Sequence, residues 1–575
     1  MELKAFLDRY RQQSCALQAH LPAESPLARL LTELEPSLEL TRAALAKTEL
    51  PPDHTLQVAV IGPTQAGKSS IVNLILDTEA AGVSPLAGYT VHPQGFVHRA
   101  EPADWLDTYF EGYRRLPRAQ LPADRYTHFA AEPVSGRPEL PALTLWDTPD
   151  FDSLRARHYL HGLLRTAALA DLLLVVVSKD KYADRAVWDM LTLLEPLGQP
   201  VLVCLNKVTP KGRDTLLRSW NEKWRTHRGD PPPPVIPLPY WQDEEEHRQA
   251  GAQLRAALLE RLPPARRHRS QQPRRILELA RRHWPAWRQP LAAEIAADKA
   301  WRTQVEAALT QAIEIYRHDF LDHPIAYETF QRALAELLIL LEIPGIGKPM
   351  LWMRRTLTWP LRQLLGKGKQ DQAIPEELRV LTHSVEHALR RLRQALAEPP
   401  PSELARPWWQ SLSRRYQETM PDTLDAFQQD AGRYYREFQP QVEAAARELY
   451  ERLKEMPVTL NALRATRLSA DAAGLALLLQ TGGIGPHDFF LAPAVLSLTS
   501  WLSETALGKY MERIAAQLKR RQLEAVQNML AARFGQRLLQ LPGTIEPAYR
   551  FGFDAETLTA IDQQLQERRH GLRLF

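Results

Sequence analysis

The pattern of apolar and polar residues divides the chain into three parts. Residues 1–48 carry apolar side chains at helical spacing, and the helix breakers Pro51 and Pro52 follow. Over residues 56–240, short apolar runs rich in β-branched residues alternate with helical stretches. Strand patterns almost vanish after that, and residues 250–575 have helical periodicity. The pattern therefore predicts an N-terminal helical arm, an α/β domain and a large all-α domain.

The middle part has the alternation that is typical of a parallel sheet with helices on both faces. The predicted strands lie at residues 57–61, 95–98, 143–146, 172–177, 201–205 and 235–238. We therefore expect a mostly parallel sheet in an α/β domain. The helical C-terminal half is expected to form a separate bundle, joined by the N-terminal arm.

Composition narrows the class of protein. Of 575 residues, 44% are hydrophobic and 24% are charged, which is typical of a globular protein. The net charge is +4, from 72 Lys and Arg against 68 Asp and Glu, and does not favour nucleic-acid binding. Cys15 and Cys204 are the only cysteines, which excludes a disulfide framework and a cysteine metal cluster. The first residues lack the apolar run of a signal peptide, so we expect a cytoplasmic protein.

A phosphate-binding motif follows the first predicted strand. Residues 62–69 read GPTQAGKS and match the pattern G-x-x-x-x-G-K-[ST], with a strand before and a helix after. The glycines let backbone N–H groups turn toward phosphates, and the helix N-terminus adds its positive end. Lys68 would reach the β- and γ-phosphates, and the Ser69 hydroxyl would bind Mg²⁺. The alternative is a chance glycine-rich turn.

An acid closes the third predicted strand, where residues 146–150 read WDTPD. The segment resembles the D-x-x-G motif of the GTPase class that includes the Era-like and dynamin-like families. In that class the acid, here Asp147, holds Mg²⁺ through water near the γ-phosphate. Asp150 stands where the glycine of the motif lets the switch turn, so the way this switch turns stays open. The alternative for Asp147 is an ordinary acid that caps the next helix.

A switch loop between these motifs needs a threonine that reaches Mg²⁺ and the γ-phosphate. Thr90, just ahead of the second predicted strand, is the candidate, and Thr78 is its rival. The alternative for Thr90 is a plain turn residue. The predicted metal ligands are therefore Ser69, Thr90 and Asp147, with Asp147 acting through water.

Base recognition is expected after the fifth predicted strand, where the chain reads LNKVT. This run resembles the N-K-x-D motif of the same class, whose lysine covers the base and whose aspartate binds the guanine ring. Asn206 and Lys207 match, but Thr209 replaces the aspartate, and Asp214 is a candidate substitute. Guanine is favoured, with adenine or relaxed specificity left open, because a hydroxyl accepts hydrogen bonds more weakly than a carboxylate. A loop that backs the base is expected at residues 236–240.

Taken together, the phosphate loop and the base motif supply the predicted nucleotide contacts. They are Gly62, Gln65, Ala66, Gly67, Lys68, Ser69, Ser70, Asn206 and Lys207.

The residue that positions the attacking water is less distinct. No glutamine follows Asp147 in the predicted switch, where Asp152 stands. This resembles GTPases that complete the site by dimerising or with a phosphate-loop residue, and Gln65 is available in that loop. Arg155 and Arg157 are candidate arginine fingers, although arginines on a helix are usually solvated. We expect slow hydrolysis of GTP, with ATP as the alternative substrate. The predicted catalytic residues are Lys68, Thr90, Asp147 and Gln65.

Two segments of the helical half differ from ordinary bundle helices. Residues 472–503 have His487 and Asp488 as their only ionisable groups, and GGIGP divides them into two apolar pieces. Each piece is shorter than the roughly 20 residues needed to cross a bilayer, so a helical hairpin is expected. Residues 343–366 mix tryptophan with arginine between glycines and prolines. Both segments suit either a membrane surface or the core of the bundle.

A helical arm, a phosphate-loop domain and a helical stalk with an apolar tip resemble bacterial dynamin-like proteins, which are large membrane-remodelling GTPases. The closest local match is GKSSIVNLI at residues 67–75, which Era-like GTPases share. The predicted domains are the arm at 1–50, the GTPase domain at 51–245, and the helical stalk at 246–575 with its hairpin at 472–503. The resemblance implies GTP and Mg²⁺ binding, a homodimer through the GTPase heads, and peripheral contact with the inner face of the cell membrane.

Two other functions stay open. One is a soluble Era-like assembly GTPase that acts on a ribonucleoprotein, for which the basic run at residues 266–269 is the support. No RNA-binding module follows that run, so nucleic acid is not expected, and we interpret the run as the solvated face of a linking helix. The other is a nucleotide-gated scaffold that binds a protein partner and hydrolyses little.

Overall fold

The fold is described by a computed structural model. It covers residues 3–83, 90–152, 156–241, 243–322, 327–341, 374–458, 460 and 508–567. The chain forms two compact units, Met1–Ile295 with Pro547–Phe575, and Ala296–Glu546. The first unit thus holds the N-terminal arm, the α/β domain and parts of the helical C-terminal half. The predicted domains had boundaries at residues 50 and 245, which do not coincide with the limits of these units. Helical periodicity in a sequence does not reveal which neighbour a helix packs against.

The α/β part of the first unit contains one sheet. Its strands are β1 Leu56–Ile61, β2 Gln94–His98, β3 Arg114–Arg115, β4 His128–Val134, β5 Leu143–Asp147, β6 Leu172–Ser178, β7 Val201–Val208 and β8 Val235–Pro239. Among the described residues, these eight strands lie in the order β3-β4-β2-β5-β1-β6-β7-β8. All neighbours are parallel except β2 and β5. The predicted, mostly parallel sheet is confirmed.

Each of the six strands predicted from the sequence is present, with slightly different ends. The two that the sequence pattern missed are β3 and β4. β3 has only 2 residues, too few to form a pattern. β4 contains Glu132 and Pro133, and only Phe129, Ala130 and Ala131 of its residues are buried. Its apolar run is therefore too short and too interrupted to stand out.

Helices cover both faces of the sheet. The α-helices of the described chain, counted over both units, are α1 Leu3–His20, α2 Pro26–Lys47, α3 Lys68–Leu76, α4 Trp105–Tyr109, α5 Ala156–Leu169, α6 Arg185–Leu194, α7 Arg213–His227, α8 Glu244–His268, α9 Gln272–Tyr316, α10 Glu328–Leu340, α11 Glu376–Ala397, α12 Arg406–Lys454, α13 Gly508–Met529, α14 Gln536–Gln540 and α15 Ala555–Glu567. Helices of the first unit pack on the sheet. One core cluster joins α3 and α8 to the sheet, through side chains such as Ile75 and Leu258. The other cluster joins α5, α6 and α7, through Leu163, Trp188 and Trp220.

A buried ion cluster fastens the arm helix α2 to the sheet. Lys47 Nζ lies 3.0 Å from Asp171 Oδ1 and donates to the carbonyl of Ala170 over 2.7 Å. Arg269 donates to the same carboxylate over 2.6 and 2.9 Å. The interpretation of residues 266–269 as a solvated basic face is therefore wrong for Arg269, whose guanidinium binds Asp171.

The second unit is helical, with no strand among its described residues. Its core contains a buried polar network around Glu377. Oε1 of this side chain accepts hydrogen bonds from Tyr316 Oη over 3.0 Å, from Tyr434 Oη over 2.7 Å and from Gln522 Nε2 over 2.7 Å. Burial raises the pKa of Glu377, which these three donors oppose. The network satisfies an acid that would otherwise be costly inside an apolar bundle.

Of the helices described here, none is long and apolar enough to span a bilayer. The predicted hairpin at residues 472–503 and the segment at 343–366 both lie outside the described residues. Contact of these two segments with a membrane therefore stays a prediction.

Candidate functional site

The phosphate loop joins β1 to α3 and has a backbone that its sequence explains. Gly67 has φ +95, a conformation that residues with a Cβ rarely adopt. A Cβ at Gly62 would lie 2.1 Å from the carbonyl oxygen of Val176, so only glycine fits there. Gln65 also has a positive φ, +61, and its side chain is exposed. The two motif glycines are thus required by backbone conformation and by close approach to β6.

Lys68 begins α3 and points back over the loop. Its Nζ donates to the carbonyl of Gly62 over 3.0 Å and to that of Pro63 over 3.3 Å. It also forms an ion pair with the Asp150 carboxylate. Only 5% of the Lys68 side chain and 9% of the Asp150 side chain are exposed, so the pair is shielded from solvent. The position that D-x-x-G motifs give to glycine here holds a carboxylate in contact with the phosphate-loop lysine.

The three predicted magnesium ligands lie together beside Lys68. Ser69 Oγ donates to Asp147 Oδ2 over 2.6 Å, and Thr90 Oγ1 lies 3.4 Å from the same oxygen. The rival Thr78 is instead part of a turn, where its hydroxyl accepts from the Ala80 amide over 3.4 Å. The structure thus brings Thr90, and not Thr78, to the acid of β5.

Asp147 is fully buried, and its second oxygen, Oδ1, has no hydrogen-bond partner among the described residues. Burial raises the pKa of this carboxyl to about 6, against the opposing effects of the Lys68 charge and the Ser69 hydroxyl. A buried carboxylate oxygen without a partner, next to two hydroxyls, fits the all-oxygen surroundings that Mg²⁺ prefers. No cluster of three or more His, Cys, Asp or Glu side chains suited to a metal occurs in the described chain.

The end of β7 braces the phosphate loop from the other side. Asn206 Nδ2 donates to the carbonyl of Ala66 over 2.9 Å, and Asn206 Oδ1 accepts from the Lys207 amide over 2.9 Å. Lys207 Nζ donates to the carbonyl of Gln65 over 3.0 Å. A Cβ at Gly67 would lie only 2.4 Å from Asn206 Nδ2. Asn206 and Lys207 therefore hold the loop directly, in addition to any contact with a base.

A cleft of about 620 Å³ opens over these residues, a volume in the range of small-molecule sites. Its walls are formed by Gln65, Gly67, Lys68, Ser69, Ser70, Gly82, Val83, Thr90, Asp150, Asn206, Lys207, Pro239, Tyr240 and Trp241. Seven of the nine predicted nucleotide contacts belong to this wall; the exceptions, Gly62 and Ala66, shape the loop through their backbone.

The wall near the end of β8 is aromatic. Tyr240, which is 75% exposed, belongs to the segment 236–240 predicted to back the base, and Trp241 follows it. Trp241 was not among the predicted contacts, and its aromatic side chain next to that segment was the available signal in the sequence. Thr209 and Asp214 are exposed and do not line the cleft, and neither does the exposed Arg157. Arg155, the second candidate finger, lies outside the described residues.

Asp152 is a further residue that sequence reasoning did not assign. Its Oδ1 accepts from the Thr64 amide over 2.6 Å and from the Thr64 hydroxyl over 2.7 Å, and its Oδ2 accepts from Lys181 Nζ over 3.0 Å. Burial would raise the pKa of Asp152, but the hydrogen bonds from Thr64 outweigh this effect and lower it. The segment after β5 is thereby tied to the phosphate loop and to the loop after β6.

Comparisons with known proteins identify the type of domain that carries these residues. A family model described as 50S ribosome-binding GTPase matches residues 57–207, from β1 to Lys207, and confirms the predicted P-loop GTPase domain. The chain has no match among curated proteins.

Similar solved structures include an oligomerised bacterial dynamin pair, described as providing a mechanism for the long-range sensing and tethering of membranes. It has 14% identity, with 98% of this chain and 93% of that chain covered and a TM-score of 0.36. Another is LeoA, a bacterial dynamin GTPase from ETEC, with 12% identity, coverage of 94% and 98%, and a TM-score of 0.24. Both are of the dynamin-like class that the sequence resembles, but with TM-scores this low they carry no argument about function.

Proposed function

We propose that this chain, in which residues 57–207 form a P-loop GTPase domain, binds GTP with Mg²⁺ and hydrolyses it. The observation that carries the proposal is that Lys68 and Ser69 line one cleft and that Ser69 contacts the buried carboxylate of Asp147 directly. A lysine, a hydroxyl and a carboxylate at the N-terminus of a helix are the groups that phosphoryl transfer from a nucleoside triphosphate requires.

The phosphates would lie at the N-terminus of α3, where the helix dipole favours anions. Lys68 would neutralise the terminal phosphates, and the glycines of the loop allow close backbone approach. Ser69, Thr90 and Asp147 would hold Mg²⁺, which supplies charge neutralisation between the β- and γ-phosphates when bound. The fit of this set is supported by Oδ1 of Asp147, a buried oxygen that no described residue contacts with a hydrogen bond.

The base would lie between the Lys207 side chain and the aromatic wall of Tyr240 and Trp241. Stacking on these aromatic rings is tolerant of base identity, since every base has a π-face. Guanine is the proposed base because Asn206 and Lys207 match the guanine motif, while the place of its aspartate is held by Thr209.

Gln65 is the proposed residue for orienting the attacking water. It lies in the wall of the cleft at the phosphate end of the site, and no glutamine follows Asp147 in the next segment. Lys207 Nζ donates a hydrogen bond to the backbone carbonyl of Gln65 and thereby fixes the backbone from which the Gln65 side chain extends. Gln65→Ala should lower kcat for GTP while leaving the affinity for GDP close to that of the wild type.

Equilibrium binding of GTP and ATP, each with Mg²⁺, tests the proposed function. The wild type should bind GTP more tightly than ATP, and Lys68→Ala should bind neither. Lys179→Ala is the matched control, because Lys179 is an exposed lysine after β6 that does not line the cleft. Tight ATP binding without GTP binding would overturn the base assignment, and unchanged GTP binding by Lys68→Ala would overturn the site.

The membrane role is a separate proposal, which rests on the sequence of residues 343–366 and 472–503. We propose that GTP binding drives association of two GTPase heads and that the helical half then contacts a membrane surface. Sedimentation with anionic liposomes, with and without GTP, tests the second part, and light scattering of the protein alone tests the first. Protein that stays in the supernatant with lipid and GTP, and that unfolds when 472–503 are removed, would assign the hairpin to the core.

A further inference from the structure

We propose that Asp150 is a specificity-determining residue, whose carboxylate competes with the terminal phosphate of the nucleotide for Lys68 and thereby favours the diphosphate over the triphosphate. The inference rests on the proposed function, since it concerns the phosphate end of the same cleft. The observation behind it is the ion pair between Lys68 and Asp150, since Asp150 stands at the glycine position of the D-x-x-G motif.

The hydrogen-bonding capacity of Lys68 sets up the competition. An ammonium group has three N–H donors. In this structure Nζ has three acceptors: the carbonyls of Gly62 and Pro63 and the carboxylate of Asp150. A γ-phosphate oxygen that binds Lys68 must therefore replace one of these acceptors. The carbonyls belong to the loop that cradles the phosphates, so the carboxylate of Asp150 is the acceptor that must leave.

Charge adds to the cost of that exchange. The Asp150 side chain is 9% exposed and lies in the wall of the cleft, so its charge is weakly screened there. A γ-phosphate brought to Lys68 would add negative charge beside this carboxylate, and like charges repel strongly where water is excluded. A diphosphate brings no γ-phosphate to Lys68, so it adds less negative charge beside Asp150 and competes less for the ammonium group. The pair therefore penalises the triphosphate selectively.

The segment that carries Asp150 is held against the loop by a second contact. Asp152, two residues further on, accepts hydrogen bonds from the amide and hydroxyl of Thr64 and from Lys181. This anchor limits how far residues 150–152 can withdraw when the carboxylate is displaced. Asp150 consequently stays close enough to Lys68 to compete at equilibrium.

The test compares the dissociation constants of GDP and a non-hydrolysable GTP analogue, both with Mg²⁺, in the full-length protein. Asp150→Asn removes the charge with little change in shape, and Asp150→Gly restores the residue of the family motif. Both variants should lower the ratio of the analogue constant to the GDP constant by about tenfold to a hundredfold, the worth of one hydrogen bond to a charged group. The affinity for GDP should change little.

Asp189→Asn is the matched control. Asp189 also carries a carboxylate, but its side chain is 67% exposed, its ion pair is with Arg185, and it does not line the cleft. The same loss of one charge there should leave the ratio of constants unchanged. A change equal to that in the Asp150 variants would mean that general charge, and not the contact with Lys68, sets the preference.

The wild type provides a second test of the inference, because it should bind GDP more tightly than the GTP analogue. A wild type that prefers the analogue, or ratios that do not change in Asp150→Asn and Asp150→Gly, would overturn the inference. Weaker analogue binding in Asp150→Asn would also overturn it, since Asp150 would then assist the triphosphate. A wild type that binds neither guanine nucleotide would instead overturn the proposed function on which the inference rests.

Discussion

The hydroxyl of Ser69 donates a 2.6 Å hydrogen bond to Oδ2 of Asp147. Ser69 lies in the first turn of α3, after the phosphate loop, and Asp147 closes β5, the strand that pairs with β1. In parallel sheets the carboxyl ends of strands meet at one edge, which is where ligands bind in open α/β folds. The contact therefore brings together two of the proposed Mg²⁺ ligands from distant stretches of the sequence.

Ser69→Ala should raise the Mg²⁺ concentration needed for half-maximal GTP hydrolysis. Loss of one oxygen ligand, and of the bond that orients Asp147, should weaken Mg²⁺ binding by at least about tenfold. Ser69→Thr keeps the hydroxyl and should restore the wild-type requirement. Hydrolysis measured across a Mg²⁺ titration decides the question. A Ser69→Ala curve that overlays the wild type would remove Ser69 from the metal site.

Gly67→Ala should abolish nucleotide binding, because the added Cβ would lie 2.4 Å from Asn206 Nδ2 at a φ of +95. The clash displaces the side chain that holds the loop through the carbonyl of Ala66. Gly112→Ala is the matched control, since Gly112 has φ +80 but a Cβ there would meet nothing within 4 Å.

The control should lose about 1 kcal/mol of stability from backbone strain and keep nucleotide affinity. Fluorescent GDP binding and thermal unfolding of both variants separate the two effects. Equal loss of binding in the two variants would mean that strain alone, and not the approach of Asn206, accounts for the glycine.

Thr209→Asp should raise the preference for GTP over ATP by about tenfold, because a carboxylate accepts charge-assisted hydrogen bonds from the guanine edge. Thr209 is exposed at the end of β7, two residues after Lys207, so the new side chain meets no packing barrier. Thr209→Asn supplies a similar shape without the charge and should change the preference less.

Asp214→Asn examines the alternative that Asp214 takes over the missing role. Asp214 lies in α7, five residues beyond the motif position that Thr209 holds, and does not line the cleft, so the ratio of GTP to ATP affinity should stay at the wild-type value. A fall in that ratio would assign guanine recognition to Asp214 through a rearranged loop.

The sequence pattern predicted the elements that present the site but not all of the contacts within it. Lys68, Ser69 and Asp147 could be found because their motifs lie at the ends of strands that are rich in apolar residues, β1 and β5. The pair of Lys68 with Asp150 and the bonds of Asp152 to Thr64 depend on how a loop folds back, which no periodicity encodes. Sequence spacing therefore located the acids, while only the structure assigned them partners.

A similar limit applies to the arm helix α2, whose apolar stripe predicted burial but not its partner. Lys47 of this helix reaches Asp171 at the start of β6, in a cluster that Arg269 completes. Nothing in the sequence around Lys47 or Asp171 indicates that these two residues form an ion pair. Buried ion pairs of this kind are recognised only from the packed structure.

Asp171→Asn should destabilise the first unit by about 3 kcal/mol or more at pH 7, because Lys47 and Arg269 lose the carboxylate that compensates their burial. Burial would raise the pKa of Asp171, but the charge of Lys47 and the hydrogen bonds of Arg269 outweigh it and lower the pKa to about 2. In an unfolded chain the pKa is about 3.9. The ionised carboxylate thus stabilises the fold above about pH 4, and this contribution is lost as the pH falls toward 2.

Urea unfolding of the wild type and Asp171→Asn across this pH range measures the effect. The gap between their midpoints should be largest near neutral pH and should close in acid, since protonation of Asp171 removes the same charge as the substitution does. Asp189→Asn is the control, because the Asp189 side chain is 67% exposed and its pair with Arg185 lies on the surface. That variant should stay within about 0.5 kcal/mol of the wild type. A gap that widens in acid would contradict the assignment, because it would require a carboxylate stabilised in its protonated form.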